Sequence, residues 1–240
     1  MLIGRVHSIE SMAAVDGPGI RFALFMQGCP QRCVYCHNPD TWSVQGGTEM
    51  TAGEIVRKAI RFKPYFGSEG GITISGGEPF GQAEFLVELL KECKRERIHT
   101  AVDTCGFYLN DTVKEALEYT DLVMLDVKHT DEKTFETITK QSFSHTIEFL
   151  NYMKEIQKPL WIRQVILPGF TDSKEQIENL LKLVEGAKVE KIELLPYHRL
   201  GVSKWEELGI EYEIPDILPP DEDVMKVLRQ IIKNNGIKTN

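Results

Sequence analysis

Apolar and polar positions change period repeatedly along this chain, and the alternation lays out its architecture. Short runs rich in β-branched and aromatic residues recur at Arg21–Gln27 (RFALFMQ), Gly71–Ser75 (GITIS), His99–Thr104 (HTAVDT), Leu122–Val127 (LVMLDV), Leu160–Leu167 (LWIRQVIL) and Lys191–Leu195 (KIELL). Each reads as a strand, and the nearly continuous apolar character of the fourth predicts burial on both faces. The segments between them carry a helical period. In Glu49–Phe62, residues Ile55, Val56, Ala59 and Ile60 share a face, and Thr51 with Glu54 has the spacing of a capping box. Ala83–Arg95 turns Phe85, Leu86, Leu89, Leu90 and Cys93 inward, and further helices are predicted near Asp111–Tyr119, Glu132–Thr137, Thr146–Ile156, Lys174–Val184 and Asp221–Lys233. Strands alternating with helices predict an α/β fold with a parallel sheet. Six such units fit a partial TIM-like (β/α)6 barrel better than an open two-sided sheet. No repeat, low-complexity tract or long linker interrupts the pattern, so one domain covering 1–240 is expected.

Composition narrows the class without naming a chemistry. Apolar residues make up 42% and charged residues 27% of the 240, ordinary values for a soluble globular protein. A formal net charge of −8 argues against non-specific nucleic-acid binding, which needs clustered Lys and Arg. No apolar run is long enough to span a bilayer and the first residues do not read as a signal peptide. Five cysteines, three of them in one loop, suit a reducing cytoplasm better than a disulfide framework.

Chemistry enters at the carboxyl ends of the predicted strands. Cys29–Cys36, Gly76–Glu78, Asp103-Thr104, Asp126–Lys128 and His198 all lie there, the edge at which βα barrels bind ligands and react. The segment Cys29-Pro-Gln-Arg-Cys33-Val-Tyr-Cys36 brings three thiols into eight residues. An iron–sulfur cube normally takes four thiolates, one per iron, so three would leave one iron open to a small molecule. A zinc site would need a closed fourth ligand, for which His37 is the candidate, but adjacent Cys36 and His37 reach one tetrahedral ion poorly. Inert buried cysteines are scattered rather than gathered in a Gly/Pro-bounded loop.

The remaining polar residues have weaker individual signals. Gly76 and Gly77 allow close backbone approach to a ligand. Asp103 and Asp126 close neighbouring strands and would repel unless a cation or Lys128 lies between them. A bound monovalent cation is one such expectation, with Asp103, Thr104, the Met124 carbonyl and Asp126 as oxygen donors; a buried salt bridge is the other. Arg163 interrupts an apolar strand and must face a polar interior or a partner. His198 follows the sixth strand, where an imidazole could hydrogen-bond a nucleoside.

The cysteine spacing, with an aromatic Tyr35 before the last thiol, resembles that of radical S-adenosylmethionine (SAM) enzymes. Val15-Asp16-Gly17-Pro18-Gly19-Ile20-Arg21, Tyr35-Cys36-His37-Asn38, Asp121–Lys128, Trp161-Ile162-Arg163 and Lys191–His198 extend the likeness over nearly the whole chain, to the glycyl-radical-enzyme activating family. That resemblance implies a [4Fe–4S] cluster on Cys29, Cys33 and Cys36, with the Tyr35–His37 backbone at the adenine. It places Gly77, Asp126, Val127, Lys128 and His198 against SAM, and Asp16 and Arg163 toward the glycine loop of a protein substrate. The implied partner is formate C-acetyltransferase, with another glycyl radical enzyme as the alternative, and flavodoxin or ferredoxin is the implied electron donor. Two departures stand out. Cys105 occupies a position where the family leads one to expect asparagine. The segment after Cys36 is too short for the cysteine-rich ferredoxin-like insertion of many relatives, and Cys93 and Cys105 cannot build another cluster. A zinc-binding interaction module and a simple iron–sulfur electron carrier are the competing classes.

Overall fold

The computed structural model describes residues 2–240, and in it the chain packs as two units. The first comprises the chain up to Pro30 together with Thr41–Met124; the second comprises Gln31–Asp40 and Leu125–Asn240.

In the first unit the chain forms β1 (Ile3–Ala13), β2 (Arg21–Met26), β3 (Thr48–Thr51), α1 (Ala52–Ile60), β4 (Gly71–Gly76), α2 (Ala83–Arg95), β5 (His99–Thr104) and α3 (Asp111–Glu118). Its strand order is β3-β1-β2-β4-β5. Strands β2, β4 and β5 are parallel, as the alternation of strands and helices predicts. The register of β2 on β4 pairs Met26 with Gly76, so both strands finish level. By register, buried Phe22, Leu24, Ile72, Ile74 and Val102 share one face of these strands, and Ile55 of α1 and Leu86, Leu89, Leu90 and Cys93 of α2 are buried as well. Helix α1 has the capping box read from Thr51 and Glu54. It begins later than Glu49 because Thr48–Thr51 pair with β1 as an antiparallel edge strand.

Strand β1 was not foreseen, and its geometry explains why. It pairs antiparallel with β2 through register shifts between Val6 and Ser8 and between Glu10 and Ala13. Each such irregularity slips the period of two, so the buried residues Gly4, Val6 and Ala13 do not alternate cleanly in sequence.

Strand β6 (Leu122–Asp126) begins in the first unit and ends in the second. The second unit continues with α4 (Glu132–Thr139), α5 (Ser144–Ile156), β7 (Leu160–Ile166), α6 (Lys174–Leu183), β8 (Val189–Pro196), α7 (Val202–Glu207), α8 (Glu222–Asn234) and the short β9 (Lys238–Thr239). Strands β7, β8 and β9 are parallel neighbours. Along β7, Ile162, Gln164 and Ile166 are wholly buried, while Trp161, Arg163 and Val165 occupy the opposite, partly open face. Helix α7 lies between the sixth predicted strand and the last predicted helix, where no element is predicted, and β9 follows that helix. Among the described residues no helix is long and apolar enough to cross a membrane.

Candidate active site

In the first unit the ends of β2 and β4 stay zipped together beyond the strands. Gly77 N–H donates to the Met26 carbonyl at 2.9 Å and Glu78 N–H to the Gly28 carbonyl at 2.7 Å. The approach leaves no room for a side chain: a Cβ on Gly77 would fall on the Gly28 carbonyl group, with its carbon 2.8 Å away. Gly28 and Cys29 then donate to the Thr41 and Trp42 carbonyls at 2.7 and 3.3 Å, which leaves Cys29 half-buried at the end of the unit's first segment.

The Glu78 side chain is wholly buried and fully engaged. Its Oε1 accepts from Phe80 N–H at 3.0 Å and Thr104 Oγ1 at 2.8 Å; its Oε2 accepts from Cys105 N–H at 2.8 Å and Cys105 Sγ at 2.9 Å. Burial raises the carboxyl above its ordinary range, against the pull of the Cys105, Thr104 and Phe80 donors. This accounts for Cys105: its thiol supplies a donor to a buried carboxylate, a task an asparagine amide could also perform.

Asp16 sits in a loop carried by a buried guanidinium. Thr73 Oγ1 donates to the Asp16 carbonyl at 2.6 Å, and Arg21 Nε donates to Thr73 Oγ1 at 2.9 Å. Arg21 also reaches the Pro18 and Glu69 carbonyls at 3.4 and 3.2 Å, and burial lowers its pKa to about 10. The loop turns through Gly17 and Gly19, whose φ values are +127° and +64°. The motif Asp16–Arg21 was legible, but the anchoring role of Arg21 was not.

In the second unit Cys33 and Tyr35 are buried in an apolar cluster with Val34, Ile138, Leu167 and Tyr197, and Cys36 packs against it. The loop is tied to α4 by Arg32 N–H and Val34 N–H, each 2.9 Å from the Thr139 and Ile138 carbonyls. Burial pushes the Cys33 thiol up to about 12, while the Lys128 ammonium pulls the other way. Burial alone would discharge Lys128, but Asp126, Tyr35 and Cys33 outweigh it and hold its pKa well above the usual value. Its Nζ lies 2.5 Å from Asp126 Oδ2 and 5.9 Å from the Tyr35 ring centre. Val127 between them donates its N–H to the Arg163 carbonyl at 2.9 Å, and its carbonyl accepts from Gln164 Nε2 at 3.1 Å.

Arg163 is on the same face of β7 as Val165, which packs on the Cys33–Tyr35 cluster. Its guanidinium lies 3.4 Å from Glu193, its register partner on β8, and Lys191 reaches the same carboxylate at 2.5 Å. His198 stacks on His37, with ring centres 3.9 Å apart at 18°, and its carbonyl lies 2.9 Å from His37 Nε2. Burial lowers the His37 pKa.

Three of the four residues expected to offer oxygens to a monovalent cation make other bonds in the structure. Asp103 Oδ2 accepts from Ser75 at 2.8 Å, Thr104 donates to Glu78, and Asp126 pairs with Lys128. Asp103, Thr104 and Met124 belong to the first unit, Asp126 to the second.

The donor chemistry suits a SAM-bearing iron–sulfur site. Tyr35 Oη and His198 Nδ1 are buried without a hydrogen-bond partner among the described residues, a state that calls for a ligand or water. All three loop cysteines are free thiols. Among the described residues no three His, Cys, Asp or Glu side chains are grouped as for a single metal ion.

Residues 24–184 match the radical SAM superfamily. The pyruvate formate-lyase-activating enzyme of Clostridium pasteurianum is 49% identical over 235 residues, covering 97% of this chain and 98% of that one. The chain belongs to the pyruvate formate-lyase-activating enzyme family. The relative of that name from Staphylococcus epidermidis is 43% identical over 245 residues, covering 98% of both chains. A solved domain of pyruvate-formate lyase-activating enzyme from Bacteroides vulgatus aligns with a TM-score of 0.60 and 27% identity, over 71% of this chain and 98% of that one. Streptococcus suis SuiB, solved with its precursor peptide, aligns with a TM-score of 0.70 over 97% of this chain and 50% of that one at 18% identity, a likeness of fold alone. The fold class is the α/β partial (β/α)6 barrel of the radical SAM core. As a pyruvate formate-lyase-activating family member, the protein is an oxidoreductase that uses a [4Fe–4S] cluster and SAM.

Proposed function

We propose that this protein installs a glycyl radical on formate C-acetyltransferase (pyruvate formate-lyase), working in the cytoplasm as one radical SAM domain over 1–240. The observation that carries the reading is the thiol loop with buried Cys33 and Tyr35 beside a charged Lys128, in a chain 49% identical almost end to end to an activase of that enzyme. When bound, the cluster supplies one electron to cleave SAM into methionine and a 5′-deoxyadenosyl radical, which takes a hydrogen atom from a glycine Cα of the partner. The protein's task is to hold, orient and exclude water.

Cys29, Cys33 and Cys36 are the proposed iron ligands. Cys33 must lose its proton to bind iron, and the neighbouring Lys128 ammonium favours the thiolate against the cost of burial. Gly77 offers its backbone to the SAM ammonium, and Lys128 offers a positive charge to the SAM carboxylate beside Asp126 and Val127. The Tyr35–His37 backbone and His198 Nδ1 are the proposed adenosine contacts. Asp16 and Arg163 are assigned to the partner's glycine loop; the Arg163 guanidinium lies 3.4 Å from Glu193. The electron comes from outside the chain, and a flavodoxin or ferredoxin is the proposed donor.

The test is anaerobic reconstitution with iron and sulfide, then SAM, dithionite and formate C-acetyltransferase. The expected results are 5′-deoxyadenosine and a glycyl radical signal in electron paramagnetic resonance, both abolished in Cys33→Ala. Stoichiometric zinc without iron would overturn the reading; a radical on a different glycyl radical enzyme alone would replace the partner.

A further inference from the structure

Helix α7 has only six residues and no side-chain N-cap, far below the length at which a helix stands by itself. What holds it is the loop that carries Cys36. The Trp205 indole N–H donates to the Cys36 carbonyl at 2.8 Å, and the ring is 2% exposed. One residue earlier, Lys204 Nζ lies 2.8 Å from Asn38 Oδ1 and 3.0 Å from Asp40 Oδ2. At the head of the helix, a Cβ on Gly201 would sit 2.6 Å from the His37 Cα, so only glycine lets the backbones approach this closely. The indole is packed in turn by Tyr212, edge-on at 5.1 Å, whose hydroxyl lies 2.6 Å from that of Tyr197 in the cluster that includes Cys33 and Tyr35.

We infer that Trp205 is a positioning residue for the cluster loop: its indole N–H fixes the Cys36 main chain and thereby the direction of the Cys36 thiol, with Lys204 as a weaker second tie. This rests on the iron–sulfur reading above. The physical argument is one of restraint. Cys36 is only half-buried and lies in an irregular stretch, where its N–H bonds to the Cys33 carbonyl within the same loop. The carbonyl bond from Trp205 ties Cys36 to structure outside its own loop. Without it, the loop keeps its thiol but samples more orientations, and a metal–thiolate bond that opens is slower to re-form.

The experiment compares anaerobic holoproteins for loss of iron to a chelator, followed by bleaching of the visible cluster absorbance. Trp205→Phe keeps an aromatic side chain but removes the donor and the five-membered ring that carries it. It should release iron about fivefold faster than wild type, the worth of one ordinary hydrogen bond. Lys204→Met, a milder change that should fold in any case, should release it about twofold faster. Leu228→Ala, a cavity in the remote α8 core, should lower the melting temperature clearly yet leave the release rate unchanged. Wild-type release rates in both loop variants would overturn the inference, as would equal acceleration in Leu228→Ala, which would mark general loosening. A wild-type protein that takes up no iron would overturn this inference and the function together.

Discussion

Gly76–Glu78 in the first unit and Cys36–Asp40 in the second both carry residues assigned to the cofactor, yet they are held by opposite means. The Gly76–Glu78 loop continues the β2–β4 ladder, with main-chain bonds from Gly77 to Met26 and from Glu78 to Gly28, and one buried carboxylate bonded to Thr104 and Cys105. Apart from Phe80 in the following turn, its partners lie at or just after the ends of the parallel strands β2 and β5. The Cys36–Asp40 loop has no ladder to continue. Beyond the local Cys33–Cys36 turn, it is met by a segment about 160 residues further along, through the His198 ring and carbonyl at His37 and the side chains of Lys204 and Trp205. The first arrangement is rigid and intolerant, because backbone groups cannot yield. The second is adjustable, because long side chains can give way without unfolding the sheet. A loop proposed to hold cluster thiols gains from some yield; a loop proposed to present main-chain oxygens to an ammonium does not.

The largest expected effect breaks the rigid side. In Gly77→Ala the methyl meets the Gly28 carbonyl, which is backbone and cannot rotate away. Either β4 or the residue preceding Cys29 must move. A displacement on the order of 1 Å at reacting groups costs on the order of a hundredfold in rate. The expected outcome is a loss of that size in 5′-deoxyadenosine formation, with iron content near that of wild type. Full activity would show that the loop yields as readily as its counterpart in the second unit.

A smaller effect tests the carboxylate that backs this loop. Cys105→Val removes the thiol donor from Glu78 Oε2 and leaves that oxygen with the Cys105 N–H alone. A lost hydrogen bond to a buried acceptor is worth about 1 kcal/mol, or roughly 3 °C in a chain of this size. Cys105→Asn, which restores an N–H donor, should recover most of it. If both variants melt alike, the thiol is mere packing, and its place in the sequence again lacks an account.

The same contrast explains what the sequence disclosed. The six main strands, the Thr51–Glu54 capping box and the Gly-Gly-Glu turn are local patterns, and each was readable because its cause lies within a few residues. Strand β1 escaped because two bulges break its alternation, and Thr48–Thr51 because an edge strand of four largely open residues has no inward face to show. Helix α7 escaped for a different reason. Val-Ser-Lys-Trp-Glu-Glu has no cap and no apolar stripe; a tryptophan in a polar stretch was the sole hint that it covers something distant. Arg163 was legible as a charge needing a partner, but its partner Glu193 follows only from the β7–β8 register.

The smallest expected effect asks whether the stiffness of the first unit is confined to its strand ends. Asp121, which begins the turn into β6, accepts from Thr100 N–H at 2.9 Å and Thr100 Oγ1 at 3.1 Å and pairs with Lys94. Burial alone would raise its pKa, but the bonds from Lys94 and Thr100 prevail and lower it. Because the folded value lies below the unfolded one, the stability this group contributes is present above the ordinary carboxyl range near pH 3.9. It is lost as pH falls through the lowered value. Asp121→Asn should therefore melt about 2 °C lower at neutral pH, and its difference from wild type should shrink and vanish as the solution is acidified. Hydrogen exchange at neutral pH locates the effect. The Thr100 amide should open sooner in the variant, while the Gly77 and Glu78 amides should exchange as in wild type. If those two also accelerate, their protection depends on the whole unit, and the rigidity credited to the β2–β4 ladder is not local.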